Sequence, residues 1–219
     1  MSRSERRRVV ITGLGPVSAF GVGMAPLWQA LVEGRSALRA IERWDASGLP
    51  TSAAAEIPAD LFDVKSFVPK SYRKATKVMA RDIELAVGAA HEAVRDAGLV
   101  TKSHEGTPEG GPPTLPPDRV GCHIGAGLIA ADIDELTSAL YTARDAAGQF
   151  SFGLWGEQGM NNLTPLWLLK YLPNMLACHV TIIHGAEGPS NTITCGEASG
   201  LLSLGEGSAL PQLGSPDVK

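Results

Sequence analysis

The sequence predicts an α/β fold, because compact β-branched runs recur along the chain, glycines close them, and helical periodicity then takes over. The run from Arg8 to Thr12 reads as a strand ending at Gly13 and Gly15, and Pro26 to Glu33 as a helix closed by Gly34. The stretch from Arg39 to Lys70 is irregular and rich in small residues. Met79, Ile83, Val87, Ala90, Val94 and Ala97 then recur at three- and four-residue steps, which predicts an amphipathic helix from Lys74 to Ala97 with Gly98 beyond its C-terminus. Lys102 to Pro117, with Glu-Gly-Thr-Pro-Glu-Gly-Gly-Pro-Pro from Glu105, reads as a flexible surface insertion too short to divide the chain, so residues 1–219 are expected to form one domain. Arg119 to Ile124 follows as a buried strand, Gly125 to Gly127 as a turn and Ala130 to Ala143 as a helix. Phe150 to Leu163 is mixed in character and reads as a loop capping a site. Leu166 to Ile183, interrupted by Pro173, is expected to hold a helix packing beneath the segment that starts at Gly188.

Composition narrows the function classes. A chain of 219 residues with 44% hydrophobic residues can bury a substantial core, and a net charge of −4 gives no general reason to expect nucleic acid as a partner. The cluster Arg3, Arg6, Arg7 and Arg8 is short and runs straight into a strand, so it reads as a solvated terminus. No apolar run reaches membrane-spanning length and no hydrophobic signal region opens the chain, so no membrane association is expected and the cytoplasm is the expected location. Cys122, Cys178 and Cys195 have the spacing of neither a zinc site nor a disulfide framework. They are expected to be core thiols in a reducing compartment, with no metal and no cofactor.

The segment from Gly188 to Gly200 carries the most chemistry. Ser190 to Thr194 contains the β-branched Thr192, Ile193 and Thr194 and reads as a short strand, and Ala198 to Leu204 reads as the start of an apolar helix. Glu197 therefore falls at a strand-to-helix turn, where the first free N–H groups of a helix favour an anion or a developing oxyanion. A Cys in that place would be pushed toward thiolate, whereas a Glu is a poor acyl acceptor that would occupy the oxyanion site itself. The plainer reading is a favourable first-turn acid. A nucleotide-binding reading also exists, since Gly125-Ala-Gly127-Leu-Ile-Ala130 fits G-x-G-x-x-[G/A] between a strand and a helix. Against it, no second strand ends in an acid about twenty residues later. Asp145 lies in a helix-like stretch.

Five ordered blocks resemble the β-ketoacyl-acyl-carrier-protein synthases, the type II condensing enzymes. They are Arg8-Val-Val-Ile-Thr-Gly-Leu-Gly15, Trp28-Gln-Ala-Leu-Val-Glu-Gly-Arg-Ser36, Arg119-Val-Gly-Cys-His-Ile-Gly-Ala-Gly127, Asn174-Met-Leu-Ala-Cys-His-Val-Thr-Ile-Ile-His-Gly185 and the segment from Gly188. The family reads Gly-Pro-Ser, a β-rich run, then Cys, a small residue, Ser and Gly. Counted without a gap, the residue here at the family's nucleophilic Cys is Glu197, followed by Ala198, Ser199 and Gly200. The resemblance implies a thiolase-like layered fold, present as the N-terminal half only, with Ser199 and Gly200 near substrate. It further implies an acyl carrier protein as partner, and a homodimer or a heterodimer with a condensing-enzyme homologue. Family members are about twice this long and carry two catalytic His in the second half. His179 and His184 match neither and are expected to be structural. Gly214 to Lys219 resembles the opening of the next core strand. Relatives such as chain-length-factor subunits replace the Cys, usually by Gln, so the implied function is that of a condensing-enzyme homologue in fatty-acid or polyketide synthesis that does not condense acyl groups alone. The alternative is an acyltransferase that becomes active when a partner chain completes it.

Overall fold

The structure, a computed structural model, describes residues 8–108 and 110–213. Two short antiparallel pairs open it: β1 (Val17–Ser18) with β2 (Gly21–Val22), and β3 (Arg39–Ala40) with β4 (Ala53–Ala54), the helix α1 (Met24–Val32) lying between them. The helix α2 (Arg81–Asp96) follows two 3-10 segments. Then come β5 (Cys122–Ala126), α3 (Ile133–Thr142), α4 (Phe152–Glu157), α5 (Asn174–His184), β6 (Ser190–Thr194) and α6 (Ser199–Leu213). The strands β5 and β6 pair in parallel, Cys122 opposite Ser190 and Ala126 opposite Thr194.

The pleat of β5 sets the layers. Cys122, Ile124 and Ala126 face α2 and α5 in a core that also holds Ile83, Val87, Val180 and Ile183. His123 and Gly125 point the other way, onto α6. Alternation with period two thus yields a helix–sheet–helix sandwich across the parallel pair.

The helix α2 matches its predicted face but starts later than the period suggests. Residues 70–78 form a 3-10 helix, in which Thr76 Oγ1 donates to the Arg73 carbonyl, and Met79 is extended. Met79 still reaches the core beside Ile83, so the spacing was satisfied without a continuous helix. Asp82 and Glu84 in the first turn and Arg95 in the last complement the helix dipole. At the other end Gly98, at φ 65°, lets Leu99 N–H donate to the Val94 carbonyl.

The expected strand from Arg8 to Thr12 is not formed. Among the described residues nothing pairs with it, and Val10 and Ile11 remain 72% and 70% exposed, because a β-branched run becomes a strand only beside a hydrogen-bonding edge. Contact with α2 anchors the segment instead. A Cβ on Gly13 would lie 2.3 Å from the Ala93 carbonyl oxygen and one on Gly15 2.1 Å from that of Ala89, while Leu14 N–H donates to Asp96 Oδ2 at 2.8 Å.

Two other expectations shift, and one stands. The second buried strand runs over 122–126 rather than 119–124, so Gly125 belongs to it and not to a turn. The Phe150 to Leu163 stretch is helical, not a loop: α4 and the 3-10 turn Gly159–Asn162 pack on α3, with Phe150, Phe152 and Trp155 in ring contact. After Pro173 the chain enters α5, which packs beneath β5 and β6. The Arg3, Arg6 and Arg7 cluster and the 214–219 strand opening lie outside the described residues.

Two α5 histidines are buried in this core. His179 Nδ1 lies 2.9 Å from the Tyr72 hydroxyl, and His184 Nδ1 lies 2.9 Å from Thr101 Oγ1. Burial pushes both imidazoles below their ordinary value of 6.5; His184, with His91 and His104 nearby, is held at about 4. The unfolded chain therefore binds more protons between about pH 6.5 and 4, and folded stability falls as pH drops through that window. His184 alone is expected to cost about 2 kcal/mol at pH 5 relative to pH 7.5, read as a lower urea midpoint at unchanged slope.

Candidate site at the strand-to-helix turn

Local chemistry builds the turn after β6. The strand stops at Thr194, Cys195 leaves the pleat at φ −144° and ψ 44°, and Gly196 takes φ 54°, a left-handed value that a side chain would strain. A single 3-10 turn, Gly196–Ala198, then leads into α6. Ser199 fastens the bend: its Oγ donates to the Gly196 carbonyl and accepts from Cys195 N–H, both at 2.7 Å.

Glu197 stands at this strand-to-helix turn, as its place in the sequence implied. Its side chain is exposed and makes no hydrogen bond or ion pair among the described residues, so in this conformation the carboxylate does not fill the helix N-terminus. It lies in the first turn of the 3-10 segment that leads into α6, where a negative charge is favourable. Ser199 is 3% exposed with its hydroxyl committed to the turn, which leaves it a positioning part of the backbone. Gly200 is exposed, with open space where a Cβ would stand.

Cys195 is exposed and not the core thiol its place near a strand suggested. The strand ends one residue earlier, so the side chain follows the turn outward. Cys122 and Cys178 are half-buried. Burial first, and the neighbouring Cys178 second, push the Cys122 thiol up to about 11.

A polar cluster on the α6 face went unread in the sequence. His123 Nδ1 lies 3.1 Å from Glu206 Oε2, and Asn191 Nδ2 donates to both Glu206 oxygens at 3.0 Å. The Asn191 bonds, then the His123 bond, hold the Glu206 carboxyl below the usual carboxylate range. His123 and Asn191 are register partners on β5 and β6, so this cluster ties α6 to both strands. The signal available was a lone polar His in an apolar strand; its partner lies 83 residues away and only the fold brings them together.

The nucleotide fingerprint does not assemble. Gly125 and Ala126 lie in β5, and α3 starts only at Ile133. Asp132 Oδ1 already accepts from Asp134 and Glu135 N–H, where a phosphate would have to bind. Among the described residues no group of three or more His, Cys, Asp or Glu could hold a metal ion, and no helix is long and apolar enough to cross a membrane.

Residues 6–211 match the family model of the β-ketoacyl synthase N-terminal domain. The chain belongs to the β-ketoacyl synthase family. It is 32% identical over 206 residues to 3-oxoacyl-[acyl-carrier-protein] synthase 2 of Coxiella burnetii, a match covering 92% of this chain and 41% of that protein. Its fold is similar to a β-ketoacyl synthase from Burkholderia phymatum, with a TM-score of 0.67 at 27% identity over 94% of this chain and 44% of that one. A type II polyketide-synthase complex of an acyl-carrier protein with its ketosynthase bound to the hexaketide shares the fold at a TM-score of 0.60 and 15% identity, over 95% of this chain and 49% of that one. The architecture is thiolase-like, and the chain spans less than half the length of the curated relatives it matches.

At pH 8 a thiol reagent followed by peptide mass spectrometry is expected to modify Cys195 at least about tenfold faster than Cys122. A Cβ on Gly125 would sit 2.4 Å from Gly200 N and from the Ser199 carbonyl group. Gly125→Ala is therefore expected to destabilise the fold by about 1–3 kcal/mol, measured by urea unfolding.

Proposed function

We propose that this chain is a β-ketoacyl-synthase homologue of fatty-acid or polyketide synthesis that binds acyl-carrier partners but does not itself carry the acyl group. The observation behind this reading is Glu197 at the turn between β6 and α6, the position at which the family's pattern has its Cys. A carboxylate there keeps the electrostatic benefit of the helix N-terminus and lacks a nucleophile able to hold a thioester. An uncharged, protonated Glu197 would imitate the carbonyl of an acyl thioester. An ionised one would act as a resident anion in the oxyanion site only after turning inward from the exposed position it has here.

The partners in this reading are an acyl carrier protein and a second condensing-enzyme chain, identical or homologous. Support comes from the complex of an acyl-carrier protein with its ketosynthase among the fold relatives, and from the apolar side chains left exposed at Val10, Ile11, Leu128 and Leu201. A cytoplasmic location accords with three cysteines that are all free thiols.

A second reading has its own observation. Cys195 is exposed two residues before Glu197, so acyl transfer to that thiol is the competing possibility when a partner completes the site. Intact-protein mass spectrometry after incubation with an acyl-carrier-protein thioester separates the two. The non-condensing reading expects no covalent adduct on the native chain, and an adduct on Glu197→Cys, paired with a condensing-enzyme partner, at least about tenfold above background. An adduct mapped to Cys195 in the native chain would establish the second reading. A Glu197→Cys pair that stays unmodified would remove residue 197 from the acyl site.

A further inference from the structure

A cavity of about 460 Å³ lies at the opposite end of the sheet from Glu197, where β5 begins. Val94 of α2, Val120 before β5 and Val180 of α5 give it apolar walls, and Thr101, Lys102 and Glu105 bring the segment expected to be a flexible insertion into the lining. That segment is fastened at its neck, where Thr114 N–H donates to the Val100 carbonyl at 2.9 Å and Val100 N–H to Thr114 Oγ1 at 2.7 Å. Its first turns are organised around His104. The His104 N–H donates to the Thr101 carbonyl at 3.0 Å, and the His104 carbonyl accepts Thr107 N–H at 3.0 Å and Thr107 Oγ1 at 2.8 Å. The His104 ring stacks on the His91 ring of α2, centroids 6.4 Å apart and planes within 19° of parallel.

We propose that His104 is an acid-operated latch: protonation of its imidazole frees residues 101–107 from α2 and opens that wall of the cavity. The Thr101 backbone N–H, a group that can only donate, meets His104 Nδ1 at 3.1 Å as the return bond of a capping box closed around Lys102 and Ser103. That bond needs the Nδ1 lone pair. A proton on Nδ1 sets two donors against each other, and the bond is lost. Two acceptors stand near the new proton, the Thr101 carbonyl at 3.3 Å and the Ser103 hydroxyl at 3.2 Å, and neither restores the Thr101 N–H bond.

The added charge is also badly placed. His91 stands against the ring from α2, and His184 of α5 is near enough that charge on His91 or His104 disfavours its own protonation. The Glu92 side chain of α2, paired with Arg95, is turned toward Gly15 and Gly23 instead. Lys102, Glu105 and Glu187, the other charged residues of the lining, are exposed, so solvent screens them. The closed segment therefore binds fewer protons than the open one, and opening is favoured as the pH falls. None of these groups belongs to the Glu197 turn, so the latch is independent of acyl chemistry there.

The test is amide exchange in the 219-residue chain, followed by NMR at about pH 7.5 and about pH 5.5 and corrected for intrinsic rates. The Thr101 and Thr107 amides are expected to lose at least about tenfold in protection at the lower pH, in step with the titration of the His104 imidazole, while interior amides of α2 and α5 keep theirs. Unchanged protection would show that the Thr101 carbonyl or Ser103 hydroxyl absorbs the proton with the segment closed, and would overturn the proposal. A loss shared equally by α2 and α5, or one that follows the titration of His91 or His184, would overturn it too. The second arm is His104→Gln, whose amide oxygen can accept the Thr101 N–H from the same place in the capping box and does not titrate. Protection of both amides in this variant is expected to agree within about twofold between the two pH values, and a loss as large as in the native chain would place the sensor elsewhere.

Discussion

The approach of the β5 backbone to the start of α6 is the constraint on which the rest of the candidate site depends. With no side chain at Gly125, the Ser199–Gly200 backbone can lie against the strand, and a Cβ there would overlap it at 2.4 Å. In a close-packed interior such a gap can be relieved only by moving the whole helix. Because α6 sits this near, Glu206 reaches His123 and Asn191, and a Cβ on Gly207 would lie 3.8 Å from the His123 ring. The Ser199 hydroxyl then closes the turn that carries Glu197. Space, a pair of hydrogen bonds and a polar tie across two strands act on one bend, so the direction of residue 197 is a property of three elements at once.

The other face of the parallel pair is organised differently. There α2 and α5 supply aliphatic packing, and each buried histidine has one partnered nitrogen, His179 Nδ1 beside the Tyr72 hydroxyl and His184 Nδ1 beside Thr101 Oγ1. Burial keeps these imidazoles neutral, which makes that layer sensitive to acid. The two ends of the strands also differ in chemistry. The carboxyl ends of β5 and β6 lead to the Glu197 turn, the usual position of a site in a parallel sheet, and the amino end of β5 borders the apolar cavity.

Local signals were readable wherever local forces decide. The strand Ser190–Thr194 appears where β-branched residues and a following glycine put it, and Gly34 and Gly98 end α1 and α2 with positive φ. The turn at Glu197 was legible for the same reason. Signals failed where a distant neighbour decides. Arg8 to Thr12 has strand chemistry and no strand beside it among the described residues, and Lys74 to Val78 has helical spacing but tighter 3-10 backbone. Cys195 was misjudged because it stands just past the strand, where the backbone has already left the pleat and the side chain is exposed. The His123–Glu206–Asn191 cluster joins residues up to 83 positions apart, so no window of sequence contains it.

By itself the sequence determined the family and placed Glu197 at a strand-to-helix turn, because the ordered glycines and the β-branched run before Gly196 are written along the chain. It also determined which residues are apolar enough to form the core. Only the tertiary structure decided that Ser199 is spent on the turn, that Cys195 is exposed and that His184 keeps an unpaired nitrogen beside a cavity. Each of those outcomes depends on which atoms from remote segments arrive within hydrogen-bonding or van der Waals distance, and that is set by how helices and strands pack, not by the order of residues within any one of them.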